Sequence, residues 1–70
     1  MIRIFDMQLN KWTDHTLDSL CEIHLLDDKQ DPDFEEYYKK DYEDYYSGKW
    51  TIDKKIDYVE NRGYEVEIVK

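Results

Sequence analysis

Apolar residues stand at strand spacing near both ends of the chain and at helical spacing through its middle. Residues 2–7 (IRIFDM) are rich in Ile and Phe and predict a strand. Residues 64–69 (YEVEIV) alternate strictly, with Tyr64, Val66 and Ile68 on one face and Glu65 and Glu67 on the other, and predict a second strand. Asn10 to Asp14 reads as a turn. Leu17, Leu20, Cys21 and Leu25 then recur at helical spacing, with Thr13 or Asp14 as N-cap. Cys21, Ile23 and Leu25 also alternate, so residues 14–27 carry a competing strand reading. Residues 27–32 (DDKQDP) read as a polar linker, with Asp31 and Pro32 opening the next helix. Thr51 opens a short helix with Ile52, Ile56 and Val59 on one face and Gly63 just past its end. The expected fold is α+β. One small domain spans residues 1–70, its terminal strands share an antiparallel or mixed sheet, and two or three short helices pack on it.

The segment DFEEYYKKDYEDYYSG, residues 33–48, departs from an ordinary core helix. Phe34, Tyr38, Tyr42, Tyr45 and Tyr46 follow a helical stripe, and Gly48 suits a left-handed cap. At about 100° per residue these five rings fall within roughly 120° of one another, and Tyr37 lies to one side. Phe34, Tyr38 and Tyr45 are expected to pack inward. A buried tyrosine needs a hydroxyl partner, and a small interior offers few. Some of Tyr37, Tyr42 and Tyr46 should therefore reach the surface beside Glu35, Glu36, Asp41, Glu43 and Asp44. These eight residues form the candidate partner-binding face. Tyrosine suits that role because it adds contact area at low entropy cost.

Charge sharpens this reading. The chain has 70 residues and net charge −8. Residues 27–46 hold nine acids against three lysines, so this segment carries most of the excess. Phosphates would repel such a chain, which argues against direct binding to nucleic acid or to an anionic membrane. A basic protein is the favoured partner, above all a nucleic-acid-binding enzyme. The bland alternative is an acidic face that serves solubility. A domain this small is marginally stable without a disulfide, a metal or a partner subunit. Cys21 is the only cysteine, so no intramolecular disulfide forms, and a lone thiol suits a reducing cytoplasm. The N-terminal MIRIFDMQ does not read as a signal peptide, and no apolar run reaches the roughly 20 residues of a membrane span. The expected location is cytoplasmic (host cytoplasm if phage-encoded), as a monomer or homodimer.

No catalytic signature is legible, and the chain is expected not to be an enzyme. Its glycines, Gly48 and Gly63, make no phosphate-binding loop. Cys21 and His24 stand three apart but lack an orienting third group, and Cys21 falls in the apolar stripe as an inert thiol would. His15, Cys21 and His24 match no zinc spacing. The acids from Asp27 to Glu36 lack the second carboxylate and the turn glycine of a calcium loop. Neither cofactor nor metal is expected.

In size, charge and composition the chain resembles small acidic phage proteins that disable host defence or DNA-processing enzymes. Among these are DNA-mimic anti-restriction proteins, uracil-DNA glycosylase inhibitors and several anti-CRISPR proteins. The resemblance includes no shared motif, so it transfers no residue. It implies an inhibitor whose carboxylates and tyrosines stand in for phosphates and bases. An immunity protein or antitoxin against a basic nuclease would use the same face; a further alternative is a phage regulator of host RNA polymerase or replication machinery, whose bound surface need not be a nucleic-acid channel.

Overall fold

A computed structural model describes residues 1–69. Strands β1 (Ile2–Asp6), β2 (Lys11–Thr13) and β3 (Tyr64–Ile68) form one sheet in the order β2-β1-β3. Every pairing is antiparallel, with Ile4 opposite Thr13 on one side and Val66 on the other. The terminal strands thus share a sheet, as expected. Residues 11–13 are a correction, because the expected turn is a strand there. The reversal comes earlier, where Asp6 Oδ1 accepts the Gln8 and Leu9 amides at 2.9 and 3.1 Å. Asn10 then takes a left-handed φ of 56°, which its short polar side chain tolerates.

Residues 14–27 resolve in favour of helix. Helix α1 runs Leu17–Lys29, and its N-cap is Thr16, whose Oγ1 accepts the Ser19 amide at 3.1 Å. Thr13, one of the expected caps, instead accepts the His15 amide. The helix also extends through residues expected in the linker. Asp28 follows Leu25 on the inward face and is buried there, which holds the last turn in place. Asp31 does organise the shortened connection, with Oδ1 accepting the Asp33 amide at 2.8 Å.

Helix α3 (Ile52–Glu60) is capped by Thr51, whose Oγ1 accepts the Lys54 amide at 3.1 Å. Its buried residues are Tyr58 and Val59, whereas Ile52 is exposed. The core joins Ile4 of β1, Leu17, Leu20, Cys21 and Leu25 of α1, and Tyr58 and Val59 of α3. Two helices thus cover one face of the sheet, and the terminal strands clamp the chain at both ends.

The predicted helix over residues 34–46 has two parts. Phe34–Tyr38 is a π-helical turn, closed by the Lys39 amide on the Phe34 carbonyl, and α2 (Lys39–Tyr46) follows it. At its end Gly48, at φ 76°, donates to Tyr45 O at 3.0 Å while Lys49 donates to Asp44 O at 2.9 Å. This is the paired-bond left-handed cap that the glycine predicts.

Candidate partner-binding site

The π turn advances the chain by fewer degrees per residue than an α-helix does. Phe34 and Tyr38, expected to pack inward, stay half-buried and are not among the rings packed on the core. No residue of 34–46 is buried, so the segment forms an outer layer over the core rather than part of it. Tyr42 and Tyr45 are the rings that pack against the core, beside Trp50. Tyr45 therefore follows expectation, while Tyr42 turns inward from the trio expected near the surface. Phe34 meets Tyr42 edge-on at 5.6 Å and is half-buried, as is Tyr38. Tyr37 and Tyr46 are 65% and 55% exposed, so two of the three candidate contact tyrosines do reach solvent.

The rings form a continuous ladder. Tyr42 and Tyr46 lie 4.9 Å apart, Tyr46 and Tyr45 5.0 Å, Tyr45 and Trp50 5.2 Å, and Trp50 and Tyr58 5.0 Å. The hydroxyls of Tyr42 and Tyr45 find partners at the rim instead of in the interior. Tyr45 donates to Asp18 Oδ1 at 3.0 Å, and Lys29 Nζ donates to the Tyr42 hydroxyl at 3.4 Å. Burial, and then the Asp18 carboxylate, push the Tyr45 hydroxyl well above its ordinary pKa. Partial burial, then Tyr42 and Glu22, raise that of Tyr46. Both phenols stay protonated and uncharged at neutral pH.

The carboxylates divide into two groups. Asp41 and Asp44 are half-buried at the flanks, where Asp41 faces Lys54 at 3.7 Å and Asp44 faces Lys40 at 3.0 Å and Lys49 at 3.9 Å. Glu35 pairs with Lys39 at 3.2 Å. Glu36 and Glu43 are exposed and make no ion pair among the described residues. Lys49 and Lys54 come from outside the acidic stretch, so the patch is less one-signed than the sequence suggests. Asp28 leaves it altogether. Buried between helices, its Oδ2 accepts the Tyr58 hydroxyl and Arg62 Nη2, each at 2.6 Å. Sequence reading missed this cluster. The available signal was position, since Asp28 falls on the same helical stripe as Leu17, Cys21 and Leu25.

Cys21 and His24 point to different neighbours. The thiol faces the Lys55 carbonyl at 3.9 Å, and burial pushes its pKa up to about 11. The imidazole Nε2 lies 3.1 Å from the Tyr64 hydroxyl. Among the described residues no three metal-ligating side chains gather, and no helix is long and apolar enough to cross a membrane. No family model, curated protein or solved structure matches the chain.

Proposed function

We propose that the chain is a small inhibitor that docks on the nucleic-acid-binding surface of a basic enzyme. Its carboxylates take the place of phosphates, and its tyrosine rings take the place of bases. One observation carries this reading: Glu36, Tyr37, Glu43 and Tyr46 stand exposed on one outer layer, with neither glutamate engaged by an internal cation. The lysines beside them sit in exposed pairs, which contribute little to stability and exchange readily for an incoming Arg or Lys. Acidic excess on one face also steers a basic partner into contact. In its concrete form the protein is a phage-encoded inhibitor of a host defence nuclease, such as a CRISPR effector.

Competition with DNA tests this. The immobilised chain is exposed to host-cell lysate, and captured proteins are challenged with excess duplex before mass spectrometry. Release of nucleic-acid-binding proteins by the duplex supports mimicry. Captured proteins that stay bound in excess duplex rule it out for those targets. A purified CRISPR effector that keeps full affinity for labelled target DNA at excess chain removes the concrete form.

A further inference from the structure

We propose that the open face of the sheet pairs with a second copy of this chain. The inner face, with Ile4, Tyr64 and Val66, is covered by α1 and α3. The outer face carries Arg3 and Phe5 on β1, Trp12 opposite Phe5 on β2, and Glu65 and Glu67 opposite them on β3. No helix covers it. Trp12 is 45% exposed, and the Phe5 ring meets it edge-on at 5.2 Å. The Arg3 guanidinium lies over the indole at 4.0 Å and reaches Glu67 at 3.9 Å. Met7, also exposed, follows β1 at the same strand parity.

This surface has an apolar aromatic centre and charges of both signs at its rim. An isologous dimer needs a patch complementary to itself, and this one is. A two-fold axis lying in the face beside Phe5 and Trp12 sets Arg3 of each copy over the partner's Glu65, while the aromatic pairs meet at the centre. Glu65 makes no ion pair within the chain among the described residues. The acidic layer of residues 34–46 cannot serve this way, because it would face its own charge. Edge-to-edge pairing through β3 is also obstructed, since the Val66 amide on its free edge donates to Glu60 Oε2 at 3.3 Å. Three strands of at most five residues make a face of roughly 14 by 17 Å. That is well short of the roughly 800 Å² per partner of a stable complex, so the dimer is weak and concentration-dependent.

Sedimentation velocity from low-micromolar to near-millimolar protein reads the equilibrium directly. The chain is expected to pass from monomer to dimer over that range. Arg3→Glu and, separately, Glu65→Arg should each weaken the dimer roughly tenfold or more by setting like charges together. The double variant Arg3→Glu/Glu65→Arg should restore it. Glu65→Arg keeps the test open should Arg3→Glu disturb the indole stack, and circular dichroism reports whether each variant is folded. A monomer at every concentration overturns the proposal, as does a dimer that folded Glu65→Arg leaves unchanged or a folded double variant that stays as weak as the single ones. A dimer weakened by Glu36→Lys and Glu43→Lys but not by Glu65→Arg overturns it as well, because it would place the contact on the acidic layer.

Discussion

Asp28 Oδ2 lies 2.6 Å from the Tyr58 hydroxyl and ties the last turn of α1 to the last turn of α3. The same oxygen accepts Arg62 Nη2, so one buried carboxylate serves a neutral and a charged donor together. Removing the hydroxyl deletes one hydrogen bond, and Tyr58→Phe should cost about 1 kcal/mol. Asp28→Ala is worse, because it leaves the partly buried guanidinium without its counter-charge, and it should cost about 3 kcal/mol. Small domains have only about 5–15 kcal/mol in hand, so the shift in urea midpoint will be large. Equal midpoints for Asp28→Ala and wild type would remove the carboxylate from any structural role.

Two residues give stability a pH dependence in separate windows. Burial, and then the Arg62 charge, hold the His24 pKa below its ordinary 6.5, so folding favours the neutral ring. Between that lowered value and 6.5 the unfolded chain binds more protons, so stability should rise with pH across this window and level off above it. Asp18 behaves differently. The hydrogen bond from Lys55, helped by Tyr45, holds its carboxyl below the ordinary 3.8 against the opposing effect of burial. Its contribution is complete above about pH 4 and is lost as pH falls through the lowered value. Urea midpoints measured from acid to neutral pH should lose the upper slope in His24→Gln and the lower one in Asp18→Asn. A wild-type slope in His24→Gln near pH 6 would assign that window to another group.

Cys21 should be silent toward thiol reagents in the native protein. It is fully buried, and burial keeps it a thiol by pushing its pKa up to about 11. The thiolate is the reactive form, so labelling must await unfolding. A chromogenic disulfide reagent at mildly alkaline pH should modify the folded chain far more slowly than the chain in urea. Comparable rates would show that α1 opens readily beneath α3.

The terminal strands, the helices within residues 34–46 and 52–60 and the Gly48 cap were legible because each rests on local patterning. YEVEIV alternates, and Gly48 ends a helix with positive φ. Residues 14–27 were not decided, because Cys21, Ile23 and Leu25 alternate while Leu17, Leu20, Cys21 and Leu25 keep helical spacing. What escaped is what depends on distant partners. The chain reversal at residues 7–10 rests on Asp6 folding back onto the amides of Gln8 and Leu9, and only β1 makes Lys11–Thr13 a strand. The burial of Asp28 depends on Arg62, thirty-four positions away. At the candidate site, exposure of Tyr37 and Tyr46 could be argued from the shortage of hydroxyl partners. The inward packing of Tyr42 could not, because which rings of the stripe meet the core is decided by Trp50 and by the buried residues of α1 and α3.

That difference decides how the proposed docking face should be probed. Glu36 and Glu43 are exposed without ion pairs, so reversing them alters the field and little else. Asp41 and Asp44 hold Lys54, Lys40 and Lys49, so their reversal also rearranges the flanks. With a captured nucleic-acid-binding partner, Glu36→Lys/Glu43→Lys should slow association roughly tenfold at low salt, and the gap should close as salt screens the field. Tyr37→Ala and Tyr46→Ala should instead speed dissociation and leave association nearly unchanged, because they remove contact area rather than charge. Tyr42→Ala belongs to a different class. Its ring packs on the core and on Phe34, so its loss should lower the urea midpoint. Surface plasmon resonance at two salt concentrations separates these outcomes. Wild-type association by the folded double-lysine variant would reduce the acidic layer to a solubility device.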